Sequence, residues 1–222
     1  FWWIREEGLD EYVASEVGII CAAPHVSLLD IFYMTYRWQP CFVAKKDIRS
    51  MPIIGRFAKA FDTVFVDRNA DFQTKQAYKK KIQDLADDSN LPPVLIFPEG
   101  TCSNGEALIT FKRGAFEPGV NILPVCLRYD CRVSPASVGR NGGIRFLFRV
   151  LLQFKNKLEV KVLPVYRPSE REKIEPVLFA GNLQKEMAGV LGLPCTRHSL
   201  ADMWFYQRIV DEELPEDVFQ FV

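Results

Sequence analysis

The chain has 222 residues, 48% of them hydrophobic and 13% aromatic, with 17 phenylalanines, which is rich for a soluble enzyme. That length is read as one domain over residues 1–222, large enough to bury a substantial core. Its 28 basic and 28 acidic side chains cancel, so no global field points to nucleic acid as a partner, and no apolar run reaches the length of a membrane-spanning helix.

No signal peptide is visible, and the chain opens at Phe1-Trp2-Trp3-Ile4, a set of side chains common at membrane interfaces. The expectation is a fragment of a longer membrane-anchored chain, with the anchor upstream. The six cysteines include no Cys-x-x-Cys pair and no zinc-type spacing, so no metal site is expected. There is no Asn-x-Ser/Thr acceptor either, which is compatible with reduced thiols on the cytosolic side.

Residues 4–16 read as a short polar helix leading to an apolar strand from Val17 to Ala23, which Pro24 stops. His25 sits on the turn that follows, and Ser27 opens an apolar helix from Leu28 to Tyr36. Asp30 stands five residues after His25. On one continuous helix, residues five apart differ by about 140° in direction, so the two pair only if His25 precedes the first helical turn. The alternative is that Ser27-x-x-Asp30 is simply a capping box.

Cys41 to Ala44 reads as a second strand ending in Lys45-Lys46, and a short helix beginning near Pro52 runs to Phe61. Val64 to Val66 is a third strand with Arg68 beyond its carboxyl end. Tyr78, Ile82 and Leu85 recur at i, i+4 and i+7 in a helix from Asp71 to Asp87, opposite Lys75, Lys79 and Lys80. Pro92-Pro93 precede a strand from Val94 to Phe97, which runs straight into Pro98-Glu99-Gly100-Thr101-Cys102-Ser103-Asn104-Gly105.

Val120 to Leu127 reads as a strand interrupted by Pro124, followed by a loop from Arg128 to Gly143. Ile144 to Phe154 is either a core helix or one lying on a bilayer with Arg145 and Arg149 toward headgroups. Leu158 to Val165 is a last strand, and helices from Asn182 to Leu191 and from about Ser199 to Val210 close the chain. Strands separated by helices predict an α/β fold with a largely parallel mixed sheet flanked by helices.

The His-x4-Asp pair, followed some seventy residues later by Phe97-Pro98-Glu99-Gly100-Thr101, resembles the glycerolipid acyltransferase family. Thr63 to Arg68 resembles that family's second motif, and Ile122-Leu123-Pro124-Val125 its fourth. The longer run through Asn104, Ile109 to Lys112 and Gly114 to Phe116 is most similar to the lysophosphatidylcholine acyltransferase branch, and the resemblance covers about Val17 to Leu193. Two positions depart from the pattern: Asp62 stands where the second motif usually has Gly, and Asp130-Cys131 where the branch usually has Pro.

The resemblance implies transfer of an acyl group from acyl-CoA to a lysophospholipid hydroxyl at a membrane surface, with the endoplasmic reticulum as the expected location. Acyl-CoA is a co-substrate, and no cofactor is implied. Such a transfer needs a base for the hydroxyl, stabilisation of the oxyanion, and juxtaposition of the two substrates. His25 is suited to be the base, with Asp30 fixing its tautomer. The hydroxyl attacks directly, so no acyl-enzyme is required, and the chain has no Gly-x-Ser-x-Gly elbow.

Arg68, whose planar fork matches phosphate oxygens, is the first candidate for the acceptor phosphate, the alternative being a surface arginine paired with Asp67 or Asp71. The family's acceptor motif places Glu99, Gly100 and Thr101 at the same subsite, although Pro-Glu-Gly also reads as a plain turn. Lys45, Lys46, Lys112 and Arg113 are candidates for the CoA phosphates, or simply a solvated basic surface. Pro124 is associated with acyl-CoA binding through the fourth motif, and His198 has no motif and is read as structural or exposed. Glycerol 3-phosphate as acceptor, and a non-catalytic lipid- or acyl-CoA-binding module, are the competing readings.

Overall fold

The computed structural model describes residues 2–51, 54–61, 63–67, 70–130, 152–153, 156–199, 202 and 205. Seven strands among them form one sheet: β1 (Trp2–Glu7), β2 (Ile19–Ala23), β3 (Cys41–Lys45), β4 (Val64–Val66), β5 (Val94–Ile96), β6 (Ile122–Asp130) and β7 (Asn156–Val162). Their order across the sheet is β1-β7-β6-β2-β5-β3-β4. Every neighbouring pair is parallel except β6 and β7. The expected α/β class with a largely parallel mixed sheet is borne out.

β2 lies near the middle and is buried along its whole length, as an apolar run covered on both faces should be. Ile19, Cys21 and Ala23 face one apolar layer, built with α3 (Phe72–Asp87) and α5 (Pro176–Leu191). Ile20 and Ala22 face the other, built with Tyr33, Met34 and Trp38 of α1 (Leu28–Trp38). The alternation of a strand thus sorts one short sequence into two cores.

The helices form where apolar period and end signals agree. Tyr33, Met34 and Trp38 make the inward stripe of α1, and Gln39 closes it in the left-handed region at φ 46°. Asp71 caps α3 by accepting from Thr74 N at 2.8 Å, and Ile82 is its buried contact. A short α2 (Ile54–Ala60) follows a 3-10 segment, Lys46–Ser50.

Four expectations change. Residues 4–16 are not a polar helix: Trp2 to Glu7 pair with β7, and two 3-10 turns follow. Tertiary contacts override the local polarity, because Glu6 accepts from the Tyr33 hydroxyl at 2.6 Å and lies 3.5 Å from Arg37. The helix expected from Asn182 begins at Pro176 instead, because α4 (Glu170–Ile174), capped by Ser169 and Glu172, delivers the chain directly into it. The strand after Val120 does not stop at Leu127 but runs on to Asp130, since β7 pairs with it as far as that residue.

Pro124 does not interrupt β6 either. Its carbonyl accepts from Leu163 N at 3.0 Å, at the end of the β6–β7 ladder, so the missing N–H costs one terminal bond only. The helix expected over 144–154 lies outside the described residues apart from Leu152 and Gln153, and the one over 199–210 apart from Ser199, Asp202 and Phe205. Asp62 is outside them too. Among the described residues no helix is long and apolar enough to cross a membrane.

Phe179 of α5 is fully buried, edge-on to Phe116 (5.0 Å between centroids) and stacked on Tyr166 (5.3 Å). Phe179→Ala should lower the unfolding free energy by about 3–5 kcal/mol, because the ring leaves a cavity beneath the sheet. Urea unfolding should show the loss as a lower midpoint with an unchanged slope.

Candidate active site

The site forms where β2 and β5 run out side by side, next to β6. β2 ends at Ala23, and the chain turns through a cis Ala23–Pro24 bond into His25, Val26 and Ser27 before α1 begins. His25 therefore precedes the first helical turn, which is the condition for it to meet Asp30. Its Nδ1 lies 2.8 Å from Asp30 Oδ2.

Asp30 is fully buried, and four donors satisfy it. Oδ2 accepts from His25 Nδ1, from Val26 N at 2.7 Å and from Ser27 N at 3.0 Å, and Oδ1 accepts from the Tyr129 hydroxyl. Ser27 Oγ in turn accepts from Leu29 N at 3.2 Å, which completes a capping box. The two readings that stood as alternatives coexist: one carboxylate both caps α1 and holds the histidine.

Because a carboxylate only accepts, Nδ1 carries a proton, and once the ring is neutral the second nitrogen, Nε2, is the one that can take another, with the Cys102 side chain beside the ring. Burial alone would lower the imidazole pKa. The hydrogen bonds and charges of Asp30 and Cys102 together outweigh it, and His25 rises to about 9. Phe97 stacks on the ring at 3.9 Å and 17°, so one face is closed by an apolar plate.

Glu99 is also fully buried, and it faces the main chain. Oε2 accepts from His25 N at 2.8 Å, and Oε1 from Ile109 N at 3.2 Å. Ser103 N donates to His25 O at 2.7 Å, so the backbone of His25 is clamped on both sides by the 99–103 loop. Burial pushes the Glu99 carboxyl up to about 7, partly offset by these hydrogen bonds and by the positive charge of His25. In this geometry Glu99 braces the turn, and its oxygens are engaged internally.

Gly100 has φ +68°, and a Cβ there would meet the Lys112 side chain at 2.8 Å. Lys112 thereby lies over the loop, with its N–H on Pro98 O at 2.8 Å. The Thr101 hydroxyl has a 3.5 Å contact with Cys102 O. Arg113 is paired with Glu117 at 3.5 Å, and Lys46 with Asp67 at 3.6 Å. Lys45 is exposed where β3 ends. Pro124 is buried within β6, where its observed part is structural. Arg68 lies outside the described residues.

Sequence reasoning missed Tyr129. The Leu127-Arg128-Tyr129 block was legible, but ending the strand at Leu127 put the tyrosine in a loop. Continued pairing of β6 with β7 carries it to Asp30 instead. It also missed Phe97 and Ser103, whose parts follow from the loop folding back over the turn.

Asp30→Asn and Asp30→Ala should differ in kind. The amide oxygen of Asn can still accept the three donors at Oδ2, whereas Ala strands buried donors and should cost about 3 kcal/mol or more. Loss of the charge in Asp30→Asn should bring the His25 pKa down from about 9 toward 6.5, read by NMR titration. The folded-state value lies above the unfolded one, so this pair stabilises fully below pH 6.5 and loses its contribution as pH rises through about 9. A His25 titration unmoved in Asp30→Asn would show that the carboxylate is not what raises it. Tyr129→Phe should leave the capping box intact and change the same titration, since it removes one donor from Asp30.

The acyltransferase family profile, described simply as Acyltransferase, matches residues 5–128. Lysophosphatidylcholine acyltransferase 1 of Danio rerio is 36% identical over 204 residues, covering 91% of this chain and 39% of that protein. Lysophospholipid acyltransferase LPEAT1 of Arabidopsis thaliana is 36% identical over 196 residues, covering 86% of this chain and 49% of that protein. The chain thus spans less than half the length of these relatives. The crystal structure of the 1-acyl-sn-glycerophosphate (LPA) acyltransferase PlsC from Thermotoga maritima shares the fold, with a TM-score of 0.57 at 22% identity over 84% of this chain and 71% of that one. With the profile covering more than half of its length, this chain belongs to the acyltransferase family.

Proposed function

We propose that this protein is an acyl-CoA-dependent O-acyltransferase that esterifies the hydroxyl of a lysophospholipid, in phospholipid synthesis or remodelling at a membrane surface, with the endoplasmic reticulum as its location. The observation that carries the reading is His25, held by Asp30 through Nδ1 at the carboxyl end of β2, with Nε2 left to take a proton. The names of the relatives support the acceptor class, since they specify lysophosphatidylcholine and lysophospholipids.

In the proposed reaction the acceptor hydroxyl gives its proton to His25 Nε2 as its oxygen attacks the thioester carbonyl. The tetrahedral intermediate then expels CoA as the thiolate, which takes the proton from the imidazolium and leaves as the free thiol. Asp30, through its bond to Nδ1, stabilises the imidazolium that forms. Arg68, with Gly100 and Thr101, would hold the acceptor phosphate, and Glu99 keeps the turn in register through the backbone of His25. Lys112, which reaches over Gly100, and Lys45 at the end of β3 are the proposed cations for CoA phosphates.

Radiolabelled acyl-CoA offered with a panel of lysophospholipids and with glycerol 3-phosphate tests the reading. Lysophospholipid acylation is expected. Exclusive use of glycerol 3-phosphate would shift the substrate class, and binding without turnover would mark a non-catalytic module. His25→Ala should abolish turnover while the melting temperature stays near that of the parent, a loss on the order of 10² to 10⁴ in kcat. The base must be neutral to accept a proton, so kcat/KM should rise about tenfold per pH unit on its acid limb and level off near pH 9. A limb near pH 6.5 would show that the imidazolium is not stabilised in the free enzyme.

A further inference from the structure

A second concavity lies beside the edge strand β4, toward the other end of the strands from His25. It encloses about 590 Å³, and Arg49, Lys59, Thr63, Lys81, Leu85 and Cys41 are among the residues that line it. Cys41 opens β3 and is level with Val94 and Ile19, through β5, at the amino ends of the parallel strands. His25 follows the carboxyl end of β2, and Ile19 to Ala23 alone spans about 13 Å.

Two independent features of this cavity are unexplained by the fold. Three cations line it, and among the described residues no carboxylate does. None of the three has an ion-pair partner among the described residues, although ion pairs neutralise Lys46, Lys79 and Arg113. Arg49 does no more than lie 5.9 Å from the centre of the Phe65 ring. All three are exposed, and exposed lysines such as Lys75 and Lys80 have no ion-pair partner among the described residues either, so what marks this place is three cations on one hollow with no carboxylate in its described lining. The second feature is Thr63, only 7% exposed, whose Oγ1 is buried without a hydrogen-bond partner among the described residues. Buried hydroxyls are normally satisfied, and the residue that carries this one lines the same cavity.

We infer that this cavity is a binding site for a phosphate-bearing ligand, separate from the place where acyl transfer occurs. Arg49, Lys59 and Lys81 meet the phosphate oxygens, Thr63 turns about χ1 so that its hydroxyl, buried at rest, donates a hydrogen bond, and Leu85 and Cys41 offer an apolar wall to the carbon skeleton. The same chemistry arises in a soluble phosphate ester and in an anionic lipid headgroup. A headgroup would couple this edge of the sheet to the charge of the membrane, whereas a soluble ester would report on the supply of phosphorylated metabolites.

The test is direct binding to the intact chain. Inorganic pyrophosphate is titrated by calorimetry, and flotation is measured with phosphatidylcholine vesicles with and without phosphatidic acid. Binding of pyrophosphate identifies the soluble source, and binding only to the phosphatidic acid vesicles identifies the headgroup. In whichever arm binds, Lys59→Gln/Lys81→Gln should lose at least about tenfold in affinity, and the near-isosteric Thr63→Val about threefold or more. Lys75→Gln/Lys80→Gln, which removes two exposed charges of α3, should bind like the parent. The proposal is overturned if neither probe binds, if the control loses as much as the cavity variant, or if Thr63→Val binds as tightly as the parent. Melting curves of each variant establish that it is folded before its affinity is read.

Discussion

A single buried carboxylate, that of Asp30, holds the candidate site of this molecule together. It gathers the imidazole of His25, two backbone N–H groups of the turn and the Tyr129 hydroxyl, so the β2 turn, the start of α1 and the far end of β6 meet at one pair of oxygens. A buried charge is tolerated only when its lone pairs are occupied, and here both oxygens are engaged. The same arrangement starts α1 and orients the histidine. The carboxylate that caps the helix is therefore also the one that places the histidine.

Glu99 complements Asp30 without duplicating it. Both carboxyl groups are fully buried and both address His25, one at the peptide N–H and the other at the ring. The residue is thus gripped by its side chain and by its backbone from different segments. That division explains why a carboxylate stands in a loop proposed to meet an anionic substrate: its charge is turned inward, onto the N–H groups of His25 and Ile109. Gly100, in the left-handed region, then lets the loop pass close under Lys112.

Much of this was legible in the amino-acid order. The apolar run of β2, the breaker at Pro24, the cap at Ser27 and the period of α1 are local signals, and they placed His25 on a turn before any contact was known. The two layers of core also follow from strand alternation in β2. What stayed hidden depended on pairing between distant segments. Trp2 to Glu7 carry charge suited to a solvated helix, yet they become a strand because β7 accepts them. Tyr129 reaches Asp30 only because β7 extends β6 past Leu127, and no local preference announces that. The inward turn of Glu99 is of the same kind, since the acceptor-site reading follows from the family resemblance and the brace from where Ile109 returns.

The proline in β6 has a consequence for which face of the sheet later residues serve. Leu163 bonds to Pro124, while Tyr166 bonds in both directions to Ile122. The two steps from Pro124 back to Ile122 are therefore matched by three on the returning chain, a bulge that inserts one extra residue where proline has no N–H to give. Up to that point the alternation is regular, with Leu158, Val160 and Val162 all in the α1 layer. Beyond the inserted residue the parity inverts, and Tyr166, an even-numbered position like them, joins the opposite layer. There its ring stacks on Phe179 and its hydroxyl meets Glu172, which caps α4. The inserted residue thus brings Tyr166 to the side of the sheet on which α5 packs.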